Sequence, residues 1–149
     1  MRIDEVFETI IFPDLKKYLE ENSEYKPKLV KVYTQESKIF PLVTMILADS
    51  TNKYNNLTYG EETENFDIEI NVYATDKDNT SKRTICNKIT DQIVKWLKDN
   101  YHLSITVKKD IQNIDNSVHR NNIRISGVLD TKYEEVVIYP MLYTHRTWY

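Results

Sequence analysis

In Phe66-Asp67-Ile68-Glu69-Ile70-Asn71-Val72-Tyr73, apolar and polar residues alternate, and the other predicted elements can be arranged around this segment. Side chains of a β-strand point alternately to the two faces of a sheet. The apolar residues of this stretch therefore share one face, and Asp67, Glu69, Asn71 and Tyr73 share the other. This alternation predicts a strand that is covered on one side only.

Two stretches have the apolar spacing of α-helices that could cover it. The residues from Thr80 to Asn100 carry one apolar stripe, with Asn79 or Thr80 expected to cap the first turn. The residues from Ile3 to about Asn22 keep the same period around Pro13. Proline removes a backbone donor and clashes with the preceding turn, so we expect a kink or a break near Phe12.

The remaining strands are predicted from shorter patterns. Two of them are expected at 29–33 and 40–48, and a third near 103–107. A late pair, 111–118 and 122–129, is expected to turn at His119-Arg120-Asn121-Asn122, because asparagine tolerates the backbone of tight turns. The polar stretch 49–65, which contains Tyr59, is predicted to be a long connection and an interaction surface.

Length and composition indicate one domain. The chain has 149 residues, of which 40% are hydrophobic and 29% charged, as in a globular domain with a single core. We therefore expect a single α+β domain over 1–149, with a mostly antiparallel mixed sheet and two main helices packed on it.

Several partners are not expected. A net charge of -3 gives no broad attraction to nucleic acid, so sequence-specific nucleic-acid binding is not predicted. No apolar run reaches the ~18 residues of a membrane span, and the N-terminus lacks the apolar core of a signal peptide. We expect a soluble protein that no signal exports and that does not bind a membrane. Cys86 is the single cysteine, which excludes an intramolecular disulfide.

Motifs for catalysis or cofactors are weak. The two glycines cannot build a phosphate loop, and Asp76-Lys77-Asp78-Asn79-Thr80 lacks the glycine and the final glutamate of a calcium loop. Asp67 and Glu69 share one strand face, as the metal-binding carboxylates of a nuclease do, but Asn71 occupies the position of the lysine in a common nuclease motif. We expect no cofactor, no metal and no enzyme, with a small metal-dependent nuclease as the alternative.

The C-terminal segment 139–149 is unusually aromatic for a chain end. It is either a tail folded onto its own core or an arm that docks on a neighbouring subunit, with Trp148 and Tyr149 among its anchors.

The order of elements over about residues 3–130 resembles the tail terminator, or tail completion, proteins of long-tailed bacteriophages. A kinked helix, the strand opening Phe40-Pro41-Leu42-Val43, the strand 66–73, the helix 81–97, and Asn113-Ile114-Asp115 followed by Arg120 and Arg124 carry this resemblance. The chain departs from the pattern at Asp99-Asn100-Tyr101, where a glycine is common, and by its longer segment after Leu129.

The resemblance implies a subunit of a hexameric ring that sits on the end of a tail tube and stops its polymerisation. It implies a place in the virion and contacts with the tube protein, the sheath and neck proteins. A head-completion or neck protein of the same particle is the alternative. Ring subunits need complementary surfaces, and we expect Arg120 and Arg124 to pair with Asp67 or Glu69 of a neighbour.

Overall fold

A mixed β-sheet organises the chain. The computed structural model describes residues 3–31, 39–55, 61–101, 103–111, 117–130 and 137–140, and for 51–55, 61–63, 130 and 137–140 it describes the backbone alone. Within these ranges the strands are β1 (Lys28–Val30), β2 (Leu42–Asn55), β3 (Glu61–Ala74), β4 (Ser104–Ile111), β5 (His119–Asp130) and β6 (Val137–Pro140).

The strand order is β1-β2-β3-β5-β4, and β6 pairs with β5 at 127–130, beyond the part of β5 that β4 covers. The pair β1–β2 is parallel and the other pairs are antiparallel. The predicted α+β class, with a mostly antiparallel mixed sheet and two main helices, is confirmed.

The N-terminal helix is continuous, and a π-helical turn precedes Phe12 where a kink or a break was expected. Helix α1 (Ile3–Val6) continues through a π-helical turn (Phe7–Ile11) into α2 (Phe12–Asn22). The N–H of Phe12 donates to the carbonyl of Phe7, five residues back, and Pro13 lies in the first turn of α2. A wide turn of this kind relieves the contact between a proline ring and the preceding carbonyl.

Helix α3 (Lys82–Asn100) is the second main helix, and its start differs from the expected cap. Ser81 is the N-cap, and its Oγ accepts from the N–H of Thr84 at 3.2 Å. The carboxylate of Asp76 accepts from the N–H of Lys82 at 2.7 Å. Asn79 instead lies in a turn with Asp78, where both residues have positive φ. The bridge between Lys77 and Thr80 closes that two-residue turn, so these residues serve the chain reversal before the helix.

Both helices pack on the same face of the sheet, which we call the helix face. Its apolar side chains are buried as the alternation in β3 predicts, and Ile68 and Ile70 are 0% exposed. The N–H of Ile3 donates to the buried carboxylate of Glu64 at 2.9 Å, which ties the start of the N-terminal helix to β3. The central core comprises Phe7, Ile11, Leu15, Met45, Phe66, Ile68, Ile70, Ile85, Ile89, Ile93, Ile123 and Ile125.

The polar stretch 49–65 is a paired ribbon for most of its length, so the prediction of a long connection is wrong. Strand β2 runs to Asn55, and the register pairs Asp49 with Asp67 and continues to Asn55 with Glu61. Residues 56–60, including Tyr59, lie outside the described residues. Alternation of apolar residues could not find this ribbon, because hydrogen bonding between strands needs no apolar side chain.

A bulge in β2 changes which face its residues occupy. The register shifts between Leu47 and Asp49, so Ala48 is an extra residue opposite β3. Side chains alternate with period two, and one extra residue turns the rest of the strand over. Asp49 therefore lies on the same face as Asp67.

Strand β5 passes straight through the predicted turn at His119–Asn122, which is a second correction. Asn121 faces α3 and is 0% exposed. Its amide donates to Asn87 at 2.8 Å and to Thr90 at 2.9 Å. These contacts hold a polar residue inside a strand. Residues 112–116, which include Asn113-Ile114-Asp115, lie outside the described residues.

Within the described ranges, no helix combines the length and the apolar character needed to cross a lipid bilayer.

Candidate interaction surface

The face of the sheet opposite the helices, which we call the second face, carries the predicted interface residues. The register places Glu69 opposite Arg124, Asn71 opposite Asn122 and Asp67 opposite Ser126. Strand β3 thus contributes the carboxylates, and β5 contributes most of the donors. The structure brings Asp67, Glu69, Arg120 and Arg124 together on this surface, within one subunit.

Asn71 is the centre of the hydrogen-bond network. Its side-chain oxygen accepts from Arg120 Nε at 3.0 Å, from Arg120 Nη2 at 2.9 Å and from Asn122 Nδ2 at 2.9 Å. Asn71 is only 5% exposed. Three donors on one buried oxygen fix the positions of both β5 side chains.

Glu69 belongs to the same network. Its Oε1 accepts from Asn122 Nδ2 at 2.8 Å and from Asn71 Nδ2 at 3.4 Å, and it lies 3.8 Å from Arg120 Nη2. Its side chain is 30% exposed, so the ion pair with Arg120 is partly screened by solvent. Asp67 accepts a hydrogen bond from the hydroxyl of Ser126. Both carboxylates therefore have donors within their own chain.

Arg120 and Arg124 differ although they share a strand and a face. The guanidinium of Arg120 is held by Asn71 and lies 6.0 Å from the ring centroid of Tyr73. Arg124 is exposed and forms no hydrogen bond or ion pair with any described residue, although Glu69 is its direct cross-strand partner. Of the two predicted arginines, Arg124 is the one whose charge is free for another molecule.

The second face is not uniformly exposed. Asp67 and Glu69 are half-buried, whereas Tyr73 is 8% exposed and Leu42 and Thr44 are almost completely buried. The prediction of a strand covered on one side only is therefore wrong at the Tyr73 end. Arg120 and Asn122 reach across Asn71 and Tyr73 there, which accounts for part of this burial.

Cys86 is a buried structural thiol. Its Sγ donates to the carbonyl of Val72 at 3.2 Å, and the residue is 0% exposed. Burial raises the pKa of the thiol to about 12, which keeps it protonated at neutral pH. A protonated, enclosed thiol is a poor nucleophile.

The other polar groups singled out in the sequence serve the fold. The residues 76–80, which lack the features of a calcium loop, form the turn and part of the cap before α3. His119 Nε2 lies 3.0 Å from Asp110 Oδ1, and that carboxylate also accepts from Arg83 at 3.1 Å. His102 and His145 lie outside the described residues. Within the described ranges, no three His, Cys, Asp or Glu side chains are grouped so as to hold a metal ion.

Three predicted contact residues fall outside the described residues, namely Tyr59, Trp148 and Tyr149. The first residues of the aromatic segment, Tyr139 and Pro140, belong to β6 and pair with β5. Sequence reasoning missed Asn122 and Ser126 as donors and Asp49 as a third carboxylate of the second face. The alternation Arg120, Asn122, Arg124, Ser126 was a usable signal, but the predicted turn divided it.

Comparison with protein-family models gives no match, and comparison with curated proteins gives none either.

Proposed function

We propose that this protein is the tail terminator of a phage tail or a phage-tail-like particle, which forms a ring on the end of the tail tube and stops its polymerisation. The observation that carries the proposal is the order of elements. The chain has an N-terminal helix with a π-helical turn, a short strand, a hairpin, one long helix and late strands. All the strands belong to one sheet, and both helices pack on the same face of it. This is the order on which the resemblance in sequence rests.

The second face supports a role in assembly. It presents Arg124, whose charge has no partner among the described residues, beside carboxylates that accept hydrogen bonds from β5. Charged groups held in fixed positions favour one orientation of a partner over others. In the proposed particle the partners are further copies of the chain, the tube protein, and sheath or neck proteins, and the site of action is the virion.

The nuclease alternative makes a different demand on the same residues. Asp67 and Glu69 would have to direct lone pairs to a metal ion, whereas here they accept hydrogen bonds from Ser126 and Asn122. Incubation of the protein with plasmid DNA and Mg²⁺ tests this alternative. We expect no cleavage, and cleavage that is lost in Asp67→Asn would support the nuclease.

Deletion of the chain from the particle that carries it tests the proposal. A missing terminator leaves tube polymerisation without its stop, so electron micrographs should show tails of uncontrolled length. Tails of normal length that fail to join heads would instead support the neck alternative. Particles of normal form and infectivity would show that the proposal is wrong.

The mass of the purified protein gives a second, independent measurement. Light scattering should give about six times the subunit mass of 17.8 kDa, with rings in negative-stain images. Added tube protein should form rings on tube ends if the isolated chain is a monomer.

A further inference from the structure

Both edges of the sheet contain strand residues that pair with no described strand on their outer side. Strand β1 covers β2 only from Leu42 to Thr44. Beyond Thr44, the residues Ile46, Ala48, Asp49 and Ser50 of β2 are exposed. At the other edge β4 pairs with β5 on its inner side, and Thr106, Val107 and Lys108 are exposed. A free strand edge offers unpaired N–H and C=O groups to another strand.

The directions of these two edges are matched. The pairs β2–β3, β3–β5 and β5–β4 are all antiparallel, so β2 and β4 run in opposite directions. A rotation about an axis along the strands preserves these directions. It therefore brings β4 of one copy beside β2 of the next in antiparallel orientation, which continues the alternation already present in the sheet.

The lengths of the two edges also agree. In β4 the register shifts after Lys108, and Asp110 has a φ of 59°, so the regular part is 104–108. In β2 the strand β1 occupies the outer side as far as Thr44. A neighbouring β4 must therefore pair beyond Thr44, where the exposed stretch 46–50 begins. The five regular residues of β4 meet a stretch of five residues in β2, of which all but the half-buried Leu47 are exposed.

Charge favours this placement. Asp49 lies opposite Asp67 on the second face, and like charges directly opposite each other are destabilising in a sheet. Asp49 is exposed and has no donor or cation among the described residues. Lys108 is exposed and likewise has no partner in the described ranges. A neighbouring β4 on the stretch 46–50 places Lys108 opposite Ile46, at a position diagonal to Asp49 across the bulge at Ala48.

We propose that copies of this chain join edge to edge, with 104–108 of β4 in one copy pairing antiparallel with 46–50 of β2 in the next, and with Lys108 against Asp49. The contact uses two different surfaces, so it repeats from copy to copy, and it forms a ring where the repeated rotation closes. Its ring geometry rests on the proposed function. Arg124 lies one strand inside the joint, so the contact between neighbours is carried first by Lys108.

Cross-linking with introduced cysteines tests the contact. The double variants Ala48→Cys/Thr106→Cys and Ile46→Cys/Thr106→Cys should form a ladder of disulfide-linked species on mild oxidation, extending beyond the dimer, because Ile46 and Thr106 lie on the same face of the sheet. Each single variant should form none of them. An equimolar mixture of Ala48→Cys and Thr106→Cys should stop at the dimer. Native Cys86 is buried, so it should not form disulfides between copies and serves as an internal control.

Charge reversal tests the ion pair. Lys108→Glu and Asp49→Lys should each raise the concentration of half-assembly about tenfold, since charges of like sign then face each other. The double variant Lys108→Glu/Asp49→Lys should restore most of the assembly. Lys17→Glu on the exposed side of α2 is the matched control and should leave assembly unchanged.

The outcomes separate this inference from the proposed function. No ladder in either double variant, a ladder that ends at the dimer, or a chain that stays monomeric at millimolar concentration would overturn the edge joint. Normal particles after deletion of the chain would overturn the proposed function, whereas the cross-linked ladder would still establish the joint.

Discussion

Glu69 and Arg124 are direct cross-strand partners on β3 and β5, yet Glu69 accepts its shortest hydrogen bond from Asn122, at 2.8 Å. The other arginine of β5, Arg120, lies 3.8 Å from the same carboxylate and donates to the side-chain oxygen of Asn71. One strand thus presents two arginines on one face, of which Arg120 is held by the fold and Arg124 has no partner among the described residues.

This difference predicts unequal losses of stability. Arg120→Ala should lower the free energy of unfolding by about 1–2 kcal/mol, because buried Asn71 loses two charged donors. Arg124→Ala should change it by less than about 0.5 kcal/mol, since the side chain is exposed and without a described partner. Urea unfolding measures both free energies, provided that the dependence of the unfolding free energy on urea concentration (the m-value) is the same in each variant. Equal losses in the two variants would contradict the assignment.

Asn121 should be the most sensitive polar residue of β5. Its amide bonds to Asn87 and Thr90 of α3, and its oxygen accepts from the N–H of Asp110 at 3.1 Å. Asn121→Ala removes all three bonds and takes the donor from the buried hydroxyl of Thr90, so we expect a loss of about 2–3 kcal/mol. Thermal unfolding gives the measurement.

The neighbouring Asn122 provides the control for this prediction. It is half-buried and bonds only across the second face. Asn122→Ala should therefore cost about 1 kcal/mol. A larger loss in Asn122→Ala than in Asn121→Ala would mean that the contact with α3 is not the stronger support.

Cys86 should resist thiol reagents until the protein unfolds. Burial raises its pKa to about 12, so almost no thiolate exists at pH 8, and the side chain is enclosed. Labelling with a chromogenic disulfide should be slow in the native state and rise steeply across the denaturant transition. Rapid labelling of the native protein at pH 8 would contradict the burial.

Tyr101 should contribute to instability at alkaline pH. Burial, and secondly the charge of Asp14, raise its pKa from 10.0 to about 12. Between these pH values the unfolded state releases the phenolic proton and the folded state keeps it. The contribution to stability is therefore complete below pH 10 and is lost as pH rises through about 12.

The variant Tyr101→Phe isolates this effect. It keeps a ring against Trp96, whose centroid lies 5.4 Å away, and removes the ionisable group. The loss of unfolding free energy between pH 9 and pH 11 should be smaller in the variant than in the parent protein. Identical losses would show that Tyr101 titrates alike in both states.

Sequence patterns predicted the fold wherever burial on one face produced them. The alternation from Phe66 to Val72 exists because the helices cover that face, and the stripe in α3 exists for the same reason. Strands that pair without a covering layer need no alternation of apolar and polar residues. The ribbon beyond Asp49 was therefore predicted to be a connection. The bulge at Ala48, which brings Asp49 to the second face, leaves no trace in hydrophobicity.

The sequence predicted which residues of β3 share the second face, but it did not predict which residues of β5 they contact. The face shared by Asp67 and Glu69 follows from period two, whereas their partners depend on the register of β5, which is 50 or more residues away. The turn propensity of Asn121 and Asn122 favoured a reversal there. The bonds from Asn121 to α3 override that local preference, and a single sequence does not reveal them.

The wide turn in the N-terminal helix explains a feature of the sequence itself. Ile3, Phe7, Ile11, Leu15 and Leu19 follow each other at intervals of four, and each is at most 4% exposed. At about 100° per residue, an interval of four overshoots a full circle by about 40°, so a regular α-helix would rotate these side chains away from the sheet. The extra residue in the turn Phe7–Ile11 takes up part of this angular drift. Buried apolar residues that keep an interval of four beside a proline therefore indicate a π-helical turn. Deletion of one residue from 7–11 would rotate α1 and turn its apolar side chains out of the core.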